Sequence, residues 1–170
     1  MTLVVPFDGS ELAEAALVRA VEFDAVFEEG VVAVSVVPRA DVTHAREVGL
    51  LDADESFDVE TVVERLHKRV DALAPRAEFQ YEVVGKHASA GTIAKHVRRA
   101  ARKADASLVV LGSENAGHLT VSVTSVGGSI ASDDAYDVLI VRNRSPSKVD
   151  RVKESSPHTT FYEGERNRPR

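Results

Sequence analysis

The chain contains no cysteine. This excludes disulfides, thiolate nucleophiles and cysteine-ligated metals. Long hydrophobic runs are missing too. The longest, such as Val31–Val34 and Leu108–Leu111, are only a few residues, whereas a membrane helix needs about 20. No membrane partner is expected. The opening Met1-Thr2-Leu3-Val4-Val5-Pro6 has neither a basic region nor a cleavage site, so no secretory signal is expected and the expected location is the cytoplasm. Lysine is scarce, 6 against 15 arginines; GC-rich coding and a salty cytoplasm would each leave that bias. His44, His67, His87, His96, His118 and His158 form no His-x-x-x-His pair and no metal-spacing cluster, and each reads as a surface or polar-loop residue. Gly-x-Ser-x-Gly is absent, which leaves a hydrolase nucleophile elbow unsupported.

What is present is a globular balance. The 170 residues are 44% apolar and 28% charged, enough for one domain with a sizeable core. The net charge of −6 is unevenly spread. Residues 1–142 hold 14 basic and 23 acidic side chains, a balance of −9, and residues 143–170 hold 7 and 4, a balance of +3. An acidic domain repels nucleic acid, so none is expected as a partner.

Periodicity orders the chain. Thr2–Phe7 reads as a buried strand, and Ser10 after the Asp8-Gly9 turn caps a helix to about Phe23 on the spacing of Leu12, Ala16, Leu17 and Ala20. Val31–Val37 is a second strand, closed by Pro38. Residues 39–56 have no clean period and read as a long loop with one helical turn near Ala45–Leu50. Val59, Val62, Val63, Leu66, Val70 and Leu73 mark a second helix. Phe79–Val84 is a third strand. Ser89 or Thr92 caps a third helix with the stripe Ile93, Val97, Ala100 and Ala101, whose basic end (Arg98, Arg99, Arg102, Lys103) suits the helix dipole. Ser107–Leu111 and Val138–Val141 complete the strands. The alternation predicts an α/β fold with an open five-stranded parallel sheet covered by helices on both faces, Rossmann-like. Residues 143–170 have no apolar period and are expected to be a disordered or loosely attached tail.

In such sheets ligands bind beyond the carboxyl ends of the strands, which selects Pro6, Phe7 and Asp8, Val36, and Leu111 with Gly112. Asp8 reads either as a hydrogen-bond acceptor for a ribose or base, or as a turn-forming residue feeding the helix cap. The Gly/Ser/Thr-rich stretch from Gly112 to Ser129 has the composition of a phosphate-cradling loop. It reads equally as a flexible connection before a short helix. It does not match the P-loop pattern, no Lys or Arg occurs from Ala104 to Val141, and Glu114 adds a negative charge.

Residues 1–142 resemble the universal stress protein family. The resemblance rests on Leu3-Val4-Val5-Pro6-Phe7-Asp8-Gly9-Ser10-Glu11, on Val34-Ser35-Val36-Val37, on Val83-Val84-Gly85, and most of all on Ala104–Ser113 followed by Tyr136–Arg142. It implies strand order 3-2-1-4-5, a cytoplasmic homodimer paired through the edge strand Val138, Leu139, Ile140 and Val141, and, in some members, ATP with Mg as a small-molecule ligand. The ATP binders carry Gly-x-x-Gly, nine residues, then Gly-Ser or Gly-Thr. Here Gly112 fits the first position, Asn115 replaces the second Gly with Gly117 close by, and Gly128-Ser129 leaves only eight residues before Val138. Counting back from the last strand puts Thr124-Ser125, followed by Val126, in the distal place. The resemblance therefore implies weak or absent ATP binding. The leading expectation is a non-enzymatic stress-response or regulatory protein with a nucleotide-type crevice, since no acid, base and nucleophile set is identifiable. The alternatives are an ATP-binding protein with weak hydrolase activity and a purely dimeric interaction module.

Overall fold

The computed structural model describes residues 2–112 and 126–142. Successive residues of a strand face opposite ways, and in β1 (Thr2–Pro6) both ways are apolar: Leu3 and Val5 join one core cluster, Val4 the other. Such a strand belongs in the middle of a sheet covered on both faces. β1 pairs in parallel with β2 (Gly30–Pro38) on one side and with β4 (Ala106–Gly112) on the other. β3 (Glu78–Val84) flanks β2, and β5 (Asp137–Val141) flanks β4, so the order is β3-β2-β1-β4-β5 with every pairing parallel. The fold is the expected one.

Helices α1 (Glu11–Phe27) and α3 (Val59–Leu73) cover one face, and α4 (Ala90–Lys103) and α5 (Val126–Ala131) the other. α1 presents the small residues Ala13, Ala15, Ala16 and Ala20 to the sheet, all buried. Ser10 caps α1, its Oγ accepting the Ala13 N–H at 3.3 Å. Ser89, not Thr92, caps α4, accepting the Thr92 N–H at 3.2 Å. The basic end of α4 does more than face a dipole: Arg99 reaches Glu82, and Arg102 grips both carboxylate oxygens of Asp133 at 3.0 and 2.9 Å.

Two expectations need correction. α1 runs one turn past Phe23, because Asp24–Phe27 contains no helix breaker; it ends where Glu28 turns left-handed with φ 55°. The helical turn expected near Ala45–Leu50 is instead α2 (Val42–Glu47), started by Asp41, whose carboxylate accepts the His44 N–H at 3.2 Å. Residues 143–170 lie outside the described residues. Among the described residues no helix is long and apolar enough to cross a membrane.

Candidate functional site

The chain leaves β1 toward one face of the sheet through α1, and enters β4 from the other face through α4. The carboxyl ends of these two neighbours therefore stand at the point where strand order reverses, and a crevice opens there. It holds a cavity of about 360 Å³. Pro6 and Phe7 from β1 and its extension, Val34 and Val36 from β2, and Leu111 and Gly112 from β4 form its floor. Ile93 and Val97 of α4 and Val126 and Gly127 of α5 close one side, and Asp41 and His44 of the α2 region the other. A smaller hollow of about 40 Å³ adjoins it behind Phe7 and Val36, against Phe57 and Leu66.

Backbone contacts hold the floor in place. The Phe7 N–H donates to Val34 O at 2.8 Å, and the buried Ser35 hydroxyl donates to Phe7 O at 2.6 Å, so sheet pairing continues one residue past β1. Gly9 then takes φ +82°, a conformation L side chains rarely adopt. Its carbonyl accepts from Arg69 Nη1 at 3.0 Å, while Nη2 donates to Gly49 O at 2.7 Å. Arg69 thus joins the turn after β1 to the turn after α2. Burial lowers the Arg69 pKa, and the carboxylate of the fully buried Glu14 works the other way. At Gly112 a Cβ would lie 2.2 Å from Leu12 O and 2.8 Å from Ala13 N. Only glycine lets the end of β4 approach the first turn of α1 so closely.

Asp8 makes the turn expected of it and stands at the crevice. Its Oδ1 accepts the Ser10 N–H at 3.0 Å. His44 Nε2 lies 3.0 Å from the Asp8 carbonyl oxygen and 3.8 Å from Asp8 Oδ2. Asp8, Asp41 and His44 are the charged or titratable side chains among the described lining residues. An apolar slot with carboxylates at its mouth is suited to a flat heterocycle and to the hydroxyls of a sugar. No group of three or more His, Asp or Glu that could hold a metal occurs among the described residues. The described residues therefore offer no ligand set for a resident Mg²⁺.

The structure brings Pro6, Phe7, Asp8, Val36, Leu111, Gly112 and Val126 together around one cavity. Asn115, Gly117, Thr124 and Ser125 lie outside the described residues. Gly128 and Ser129 are inside α5, not in the connection before it. Sequence reasoning missed Asp41, His44, Ile93 and Val97. The signal for His44 was its place three residues after a capping aspartate, just beyond the carboxyl end of β2.

Residues 1–142 match the model of the Universal stress protein family. No curated protein matches the chain significantly. A solved universal stress protein in complex with cAMP superposes with a TM-score of 0.50 at 19% identity, covering 84% of this chain and 97% of that one. A protein of the same family from Burkholderia pseudomallei superposes with a TM-score of 0.51 at 22% identity, covering 84% of this chain and 96% of that one. At these identities the likeness is one of fold.

Proposed function

Because the chain belongs to the universal stress protein family, we propose that it is a non-enzymatic, cytoplasmic stress-response or regulatory protein that holds a nucleotide-type ligand in the crevice at the carboxyl ends of β1 and β4. The observation that carries this reading is the 360 Å³ cavity with an apolar floor and Asp8 at its rim. The base lies against Phe7, Val36 and Leu111, and Asp8 accepts a hydrogen bond from the ribose. The cAMP complex of a similarly folded universal stress protein supports a nucleotide as the ligand class. ATP binds weakly or not at all, because Asn115 stands where the binders have a second Gly and residues 104–141 contain no Lys or Arg. The protein works as a homodimer paired through β5.

Mass spectrometry of the denatured protein identifies any nucleotide carried through purification, and calorimetry with ATP, cAMP and adenosine ranks the ligands. Asp8→Ala is expected to weaken binding by about 1–3 kcal/mol, and unchanged affinity would remove Asp8 from the site. Asn115→Gly is expected to strengthen ATP binding. A sub-micromolar ATP dissociation constant in the unaltered protein would contradict the weak-binding part of the reading.

A further inference from the structure

The C-terminal end of α1 combines exposed apolar surface with the wrong charge for its position. Val26 and Phe27 are 73% and 58% exposed, and the Phe27 ring stacks on Phe23 with centroids 5.9 Å apart. The free carbonyls of a helix C-terminus attract cations, yet the last turn of α1 has no basic residue. Asp24 and Glu28 stand there instead. They line a shallow concavity of about 360 Å³, where Arg76 is the one cation among the described lining residues. Nearby acids are engaged, Glu22 by Arg19 and Glu29 by the Ser107 hydroxyl. No ion pair among the described residues engages Asp24 or Glu28.

The rest of this chain has the complementary character. Residues 143–170 carry 7 basic and 4 acidic side chains. Their only aromatics are adjacent, Phe161-Tyr162, followed by Glu163 and Glu165 and then by Arg166, Arg168 and Arg170. We propose that residues 161–170 dock on the end of α1 of the same chain. Phe161 and Tyr162 cover Val26 and Phe27, and the three arginines face Asp24, Glu28 and the helix carbonyls. The reach is sufficient. β5 ends at the crevice side of the sheet and α1 ends at the other, but α1 packs directly against β5. A strand of nine residues spans about 30 Å, whereas the nineteen residues from Arg142 to Phe161 extend to about 60 Å. Charge favours this occupant over an acidic partner, since residues 166–170 carry three arginines and no acid and the domain carries −9.

The chain has no cysteine, so full-length Thr160→Cys takes a single nitroxide label. The expected result is loss of the amide NMR signals of residues 23–29 in the oxidised label, with recovery on its reduction. High salt should restore these signals in part. Val26→Ser/Phe27→Ser should abolish the broadening. Arg166→Glu/Arg168→Glu/Arg170→Glu should do the same without touching the domain, which guards against misfolding of the first variant. Broadening centred elsewhere, or none, would overturn the proposal. So would broadening that arises between a labelled and an isotope-enriched molecule in a mixed sample, which would assign the segment to a second copy.

Discussion

The crevice depends on residues where one atom more or less changes the outcome. Gly112 has backbone, not flexible side chain, where its Cβ would go. Gly112→Ala is therefore expected to cost about 3 kcal/mol, read from the denaturation midpoint; an unchanged midpoint would mean β4 and α1 separate freely. Asp8 makes a turn with one oxygen and faces the crevice mouth, so its two roles are separable. Asp8→Asn keeps an acceptor for the Ser10 N–H and is expected to leave stability unchanged, while Asp8→Ala loses about 1 kcal/mol. Equal stability losses in the two variants would show that the charge, not the turn, matters to the fold. Arg69 is a third such position. Arg69→Leu removes both donors from the turns at Gly9 and Gly49 and takes a cation away from buried Glu14. Chemical denaturation should show a loss of about 3 kcal/mol, with a weakened crevice ligand as a second readout.

Elements are set by patterns that reach no farther than a few neighbours, and this decides what could be read from the sequence. The apolar period of α3 and the continuous Val-rich run of β2 identify themselves, because burial selects the residue types directly. The segment between them has no such period. Its Ala45, Val48, Leu50 and Leu51 are buried without a regular spacing, and α3 adds single polar contacts: Arg65 donates to Leu50 O at 2.7 Å and grips both Glu55 oxygens at 2.6 and 2.7 Å. Nothing in the local sequence announces those pairings. The same holds for His44, which meets Asp8 from 36 positions away, and for Ile93 and Val97, read only as a helix stripe although they also wall the crevice. The Arg65 side chain, with the Asp52 N–H, holds the Glu55 carboxyl down at about 2. A carboxylate lowered on folding adds stability above its unfolded pKa, and this stability fades as pH falls from about 4.5 toward 2. Arg65→Met should raise the Glu55 pKa in an NMR titration and move the onset of acid unfolding to higher pH. A Glu55 that titrates unchanged in the variant would exclude Arg65 as the cause.

At the scale of the whole molecule, the two sheet edges differ. β3 carries Glu78 and Glu82 on its edge, and Glu82 is tied to His96 and Arg99 of α4. Charges of this kind discourage strand addition. β5 has one charge, the exposed Asp137 at its start, and then runs Val138-Leu139-Ile140-Val141, with the first three of these only partly buried in the single chain. Its approach is braced by Asp133 on Arg102 and by the Tyr136 hydroxyl donating to Ile130 O at 3.2 Å, a phenol whose pKa burial pushes up to about 12. One open edge and one guarded edge favour an assembly that closes at two copies. Light scattering at micromolar concentration should give a dimer, and Ile140→Pro should remove a ladder donor and return it to a monomer. A monomeric wild type, or a folded Ile140→Pro dimer, would sink this arrangement.

The central position of β1 also sets a schedule. Its first residue pairs with Gly30 on one side but with Ala106 on the other. During synthesis, β2 can close one flank of β1 early. The other flank waits until β4 leaves the ribosome, after 67 further residues, 39–105. At about 5–20 residues per second the delay is roughly 3–13 s. Through that interval the nascent chain presents a bare strand of Leu3, Val4 and Val5, so a cell making this protein quickly must shield its newest copies from one another.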